Sequence, residues 1–233
     1  MNAVSPVVTC DDSLRVGQDR GTACQFGHPS GWVGAVVGHL MAVKNLPMNR
    51  LAVELLDVKP EDAVLEIGFG PGQAIKLLAE RTPATLVAGI DPSAVMVRQA
   101  TRRNRQWIAT KRVELHPASA ASIPLPDGSF TKAFAVNSFH HWDNQRQGLL
   151  EVRRVLRPGG TLLLCLRMHL PKPWWDSAPG LTDEQVEQAE QMLRETGFEA
   201  VKSAEHSVGR RVVCLTARSM GSGGSGGHSE LPS

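Results

Sequence analysis

The sequence VLEIGFGPG at residues 64–72 sets an apolar, strand-like run directly before three glycines at alternate positions, Gly68, Gly70 and Gly72. Bare backbone there lets the chain turn tightly and lets a ligand approach where a side chain would fill the space. The helix expected beyond Gly72 adds unpaired N–H groups and a positive dipole end, which suit a carboxylate or phosphate. Nineteen residues past Gly72 a second apolar run ends in Asp91, whose two acceptor oxygens match the vicinal diol of a ribose. Joined in one strand–helix–strand unit, the two features point to a ligand containing adenosine. A dinucleotide loop would place its third glycine at position 73, where Gln73 stands, and no Lys-Ser or Lys-Thr pair follows to make a P-loop.

A second constellation, NSFHHWDN at 137–144, follows the fourth strand-like run. In open α/β sheets ligands bind beyond the carboxyl ends of the strands, and His140 and His141 are the side chains there with near-neutral ordinary pKa values. His141 is read as a ligand contact and His140 as a base where one is needed. The competing reading has one histidine bracing the loop while Trp142 covers the core. The segment RMHLPKPWWDSAPG at 167–180 brings His169, Trp174 and Trp175 to the same end, where adjacent tryptophans can stack on an aromatic or cationic partner or cover apolar surface. An N-terminal segment with Phe26, His28, Trp32 and His39 reads as a lid. The histidines show no HxxxH or HxH spacing, so no metal is expected.

The elements that must position these residues follow from periodicity. Strands are predicted from residues 63, 85, 112, 132, 161, 198 and 211, four of them apolar on both faces as in the middle of a parallel sheet. Helices are predicted over 72–81, 93–104, 144–156 and 182–196, started by Ser93 and Thr182 and stopped by Pro158-Gly159-Gly160 and Gly197. A further amphipathic helix is expected from Met48. The alternation implies an α/β fold: a doubly wound, Rossmann-like, seven-stranded and mostly parallel sheet, closed by an antiparallel C-terminal hairpin and preceded by a helical N-terminal cap.

With 233 residues, 42% hydrophobic and 21% charged, the chain fits one globular domain. Its expected parts are a lid or cap at 1–47, the domain proper at 48–218 and a flexible Gly/Ser tail at 219–233. A net charge of +2 with one basic cluster, Arg102 to Arg112, reads as a solvated helix end, so no nucleic-acid partner is expected. Cys10, Cys24, Cys165 and Cys214 form no CxxC pair, which suits a reducing, cytoplasmic compartment. The longest apolar stretch, 32–43, is too short to span a bilayer, and no signal peptide is apparent. The sequence is compatible with a homodimer and leaves the oligomeric state open.

VLEIGFGPG, GIDPSAVMVRQA, SIPLPDGSF and RVLRPGGTLLL, spread over residues 51–167, resemble the class I S-adenosylmethionine-dependent methyltransferases. The likeness is to the small-molecule branch that includes ubiquinone and menaquinone biosynthesis. The resemblance implies S-adenosyl-L-methionine as cofactor, with Gly68, Phe69, Gly70 and Gly72 lining it and Glu66 near its amino-acid end. Asp91 would hold the ribose, with Pro92 beside it, and Asn137 would border the methionine portion. Two departures stand out. Ser119, next to Ala120, occupies the place where the family carries an acid for the adenine amino group, and Thr131 follows Phe130 where the family carries Asp. Both are expected to loosen adenine contacts rather than abolish binding.

The expected chemistry is in-line methyl transfer to a small-molecule acceptor, for which the protein supplies alignment and exclusion of water. Trp32, His141, His169, Trp174 and Trp175 would shape the acceptor pocket. Two alternatives share the scaffold: a cofactor-binding protein that methylates nothing, motivated by Ser119, and a membrane-surface enzyme acting on a lipid or quinone through residues 32–43.

Overall fold

The computed structural model describes residues 45–169 and 180–221. A helix, α1, covers 45–56 and leads into seven strands and four further helices. In chain order these are β1 (Ala63–Ile67), α2 (Gln73–Arg81), β2 (Leu86–Asp91), α3 (Ala94–Ala109), β3 (Val113–Pro117) and β4 (Phe130–Val136). A 3-10 turn (Phe139–His141) follows, then α4 (Gln145–Val155), β5 (Leu156–Arg167), α5 (Asp183–Glu195), β6 (Phe198–Ser207) and β7 (Arg211–Ser219).

The strands form one sheet in the order β3-β2-β1-β4-β5-β7-β6. The first five are parallel, while β7 runs antiparallel to both β5 and β6. The predicted hairpin is present, with its second strand inserted beside β5. Strand order reverses between β1 and β4, and the crevice outside that switch point is where such sheets take ligands.

Alternation along the strands divides the core. Leu65 and Ile67 of β1 join Leu149, Val152 and Val155 of α4 and Val186, Ala189 and Leu193 of α5 on one face. Val64 joins Met48, Ala52 and Leu56 of α1, Ala74, Ile75 and Leu78 of α2, and Ala100 of α3 on the other. Each large side chain so buried contributes about 1.5–3 kcal/mol, which holds the helices against the sheet.

The caps agree with the sequence signals. Ser93 Oγ accepts from the Met96 amide, Asn144 Oδ1 from Gln147, and Thr182 forms a reciprocal capping box with Gln185. Some boundaries differ. The third helix runs to Ala109, five residues past the expected end, because Trp107 and Ile108 still find the core. Pro158-Gly159-Gly160 stops its helix as expected, but the chain is already extended from Leu156. Residues 157–160 form a bulge between the pairs Phe130↔Leu156 and Lys132↔Thr161, with Gly159 at φ 75°. Helix α1 is under way by residue 45, ahead of the expected start at Met48.

Residues 1–44 of the expected lid or cap (1–47), residues 222–233 of the expected Gly/Ser tail (219–233), and Trp32, Trp174 and Trp175 lie outside the described residues. Among the described residues no helix is long and apolar enough to cross a membrane.

Candidate active site

The glycine loop joins β1 to α2 at the carboxyl edge of the sheet. Gly68 donates to Ile90 O at 2.8 Å, which pins the loop to β2, and Ser138 Oγ donates to Ile67 O at 2.6 Å from the β4 side. The three glycines serve different ends. A Cβ on Gly68 would meet Ser138 at 2.6 Å, and one on Gly72 would meet Ala100 of α3 at 2.6 Å, so both are demanded by protein packing. A Cβ on Gly70 would meet nothing within 4 Å, so its bare backbone faces open space at φ 53°. Phe69 turns its ring into the core, 3% exposed, and offers only its backbone to a ligand.

Asp91, at the tip of β2, is bound to the loop it was expected to assist. Its Oδ2 accepts from the Gly70 amide at 2.8 Å and its Oδ1 from the Ser93 amide at 2.9 Å. A carboxylate oxygen can accept more than one hydrogen bond. Pro92 is exposed beside Asp91. The turn after β3 is tied to the same point, since the Ala118 amide donates to Asp91 O at 3.2 Å. That turn carries Ser119, whose Oγ accepts from the Ala121 amide at 3.1 Å, and Ala120, which is buried.

Thr131 is a correction. It lies at the amino end of β4, away from the crevice, where its hydroxyl donates to Asp62 Oδ1 at 2.6 Å and accepts from the Ala63 amide at 3.2 Å. Its departure from the family pattern concerns sheet packing rather than adenine.

Glu66 is the most unusual group in the crevice. It is 3% exposed, accepts a hydrogen bond from the Ile75 amide at the start of α2, and leaves Oε2 with no partner. Burial, with the Asp91 charge added, pushes its carboxyl up to about 8. Asn137, directly after β4, sits at φ 52° with its backbone N–H donating to Cys165 O at 2.8 Å, and its buried Oδ1 is likewise without a partner.

His140 and His141 follow in the 3-10 turn with ring centroids 4.0 Å apart. Both ring nitrogens of His140 are buried without partners, and burial, then the neighbouring His141 and Arg167, pulls its pKa down to about 4. His140 is therefore neutral at physiological pH and a weak base. His141 is exposed, as is His169 just past β5. Trp142 packs edge-on against Phe139 at 5.0 Å and over Gly148, which makes it a core cover.

Two site-supporting residues were not anticipated. Asn104 of α3, wholly buried, donates from Nδ2 to Gly72 O at 3.1 Å and Ala100 O at 2.9 Å. Arg103 donates to Pro71 O. Both sit in what reads as a polar helix, and only their three-dimensional closeness to the loop reveals the role.

A family model described as a methyltransferase domain matches residues 65–164, a span that holds the glycine loop, Asp91, Asn137 and both loop histidines. The uncharacterized methyltransferase YdaC of Bacillus subtilis is 29% identical over 184 residues, 78% of this chain and 97% of the relative. Residues 65–164 carry a methyltransferase domain. The demethylmenaquinone methyltransferase of Thermus thermophilus is 30% identical to this methyltransferase over 129 residues, 55% of this chain and 56% of the relative. The crystal structure of a SAM-dependent methyltransferase from Aquifex aeolicus shares the fold, with a TM-score of 0.62 and 22% identity over 76% of this chain and 93% of that one. The crevice suits S-adenosyl-L-methionine in chemistry: open space over Gly70, a carboxylate on Asp91 tied to the loop, and orphaned buried oxygens on Glu66 and Asn137.

Proposed function

We propose that this methyltransferase binds S-adenosyl-L-methionine between the glycine loop and Asp91 and methylates a small-molecule acceptor at the carboxyl ends of β4 and β5. The observation that carries the reading is the 2.8 Å hydrogen bond from Gly70 N to Asp91 Oδ2. It brings the bare backbone and the ribose acid to one point, with room above Gly70 for a ligand.

Asp91 would accept from the ribose hydroxyls and Pro92 would flank them. Ser119 and Ala120 would meet the adenine, while Glu66 and Asn137 would face the amino-acid end. The cofactor supplies a methyl group already activated by a sulfonium charge, so the chain's task is alignment in a dry crevice. His140, neutral and buried, would accept a hydrogen bond from the acceptor and orient it; its low basicity makes full proton removal a minor part of its role. His141 and His169, at the same edge, would line the acceptor side with Trp32, Trp174 and Trp175. The relative named for demethylmenaquinone supports a small organic acceptor. A cytoplasmic site of action belongs to the same reading and rests on the sequence's cysteine usage alone.

Calorimetric titration with S-adenosylmethionine against NAD tests the cofactor, followed by mass-spectrometric detection of methyl transfer across phenol, amine, thiol and quinol acceptors. Binding of NAD in preference to S-adenosylmethionine overturns the reading. Cofactor binding without turnover on any acceptor favours the non-methylating alternative.

A further inference from the structure

Glu66 is a carboxyl group with too few donors around it. One oxygen accepts from the Ile75 amide, while Oε2 is buried and alone. On the adjacent strand Asp91 has amide donors on both oxygens, from Gly70 and Ser93, so the bonds that favour a carboxylate's charge go chiefly to Asp91. The surrounding charged groups are committed elsewhere. Lys76 of α2 pairs with Glu80, Arg103 of α3 donates to Pro71 O, and Lys132 pairs with Asp62 at the far end of β1. His140, beyond β4, is neutral. Among the described residues, Asp91 is the charged group that acts on Glu66, and it has the same sign.

We propose that Glu66 holds a proton in the free enzyme and releases it to solvent when the ammonium group of the cofactor's amino-acid end docks against Oε2. The proposal rests on the cofactor reading above and adds to it a proton step. The O–H bond of the carboxyl breaks, its electron pair stays on Oε2 opposite the ammonium, and the proton goes to buffer. The raised pKa of about 8 puts the neutral acid in the majority at pH 7. Docking of a cation then favours the charged form. By linkage, affinity rises about tenfold per pH unit while the free enzyme is protonated and the complex is not, and flattens above about pH 8. The ammonium is present in both S-adenosylmethionine and S-adenosylhomocysteine. Methylthioadenosine keeps the nucleoside and thioether but lacks that end.

The test is isothermal titration calorimetry at pH 7 in buffers of differing ionisation enthalpy. Close to one proton should be released per S-adenosylhomocysteine bound and close to none per methylthioadenosine. Between pH 6 and 7 the homocysteine ligand should bind about tenfold tighter in the parent, whereas Glu66→Gln should bind it with nearly flat affinity and no proton release. Binding of S-adenosylhomocysteine by the parent without proton release, and with flat affinity between pH 6 and 7, overturns the proposal and leaves the cofactor reading intact. Equal release with methylthioadenosine also overturns it. Failure of the parent to bind S-adenosylmethionine or S-adenosylhomocysteine overturns the cofactor reading itself. The comparison of the two ligands on the parent needs no variant, so it decides the matter even where Glu66→Gln folds poorly.

Discussion

Asp62 and Glu66 stand four residues apart at opposite ends of β1, both carboxylic acids and both almost out of contact with water. At Asp62, burial pushes the carboxyl up, but the Lys59 amide at 2.7 Å, the Thr131 hydroxyl at 2.6 Å and the Lys132 ammonium at 3.0 Å outweigh it. They hold the group below the ordinary carboxylate range. Lys132 also reaches Leu56 O at 2.5 Å and Asp57 O at 2.7 Å, so the same ammonium closes the end of α1. At Glu66 one amide and a like-charged neighbour leave burial in command. The difference separates a finished structural joint from a socket. Where the chain itself provides every partner, the acid serves the fold; where it provides too few, as at Glu66, our proposal supplies a ligand as the missing partner.

The contrast can be broken at either end. The largest effect expected is from Lys132→Met, which leaves Asp62 buried without its cation. Urea unfolding should show a loss of about 3 kcal/mol, with cofactor affinity within twofold of the parent. Next comes Asp91→Ala, which removes the ribose acceptor and the tether on Gly70 together. The dissociation constant for S-adenosylhomocysteine should rise on the order of 100-fold by calorimetry.

Glu66→Gln should move stability and binding in opposite directions. The stability tied to the Glu66 proton is fully present below its ordinary pKa of 4.5 and is lost as pH climbs through about 8. The Gln variant of the ligand-free protein should therefore be more stable than the parent at pH 9, by about 2 kcal/mol, with little difference at pH 5. The smallest effect expected is from Ser119→Asp, which should tighten cofactor binding by about threefold to tenfold if the adenine amino group lies where the family places it. An unchanged affinity would detach Ser119 from the adenine site.

Much of this was legible in the sequence because it is local. The alternation of apolar runs gave the strands, Ser93 and Thr182 marked helix starts, and the glycine spacing with Asp91 marked the crevice. What stayed hidden depends on distant partners. Nothing near Thr131 in the chain says that it belongs to Asp62, sixty-nine residues away. Asn104 looks like one more polar helical residue until the turn beneath it is known to end at Gly72. Gly68 and Gly72 read as ligand glycines, yet packing against Ser138 and Ala100 also requires them. The loop histidines follow β4 at the sheet's carboxyl edge, as their position after the fourth apolar run implies, but the weak basicity of His140 follows from burial that no spacing encodes.

The hold that α3 keeps on the loop through Asn104 and Arg103 has a consequence for how the enzyme can vary. The shape of the turn is set in part by this helix, through the bonds that Asn104 and Arg103 donate to Gly72 O and Pro71 O. A bulkier residue at Ala100 would press on Gly72 and tilt the amides that face the crevice, without touching any ligand. Substitutions on this helix should therefore change cofactor affinity as readily as changes in the glycines themselves, and a relative that drifts at position 104 needs a compensating anchor elsewhere to keep the same turn.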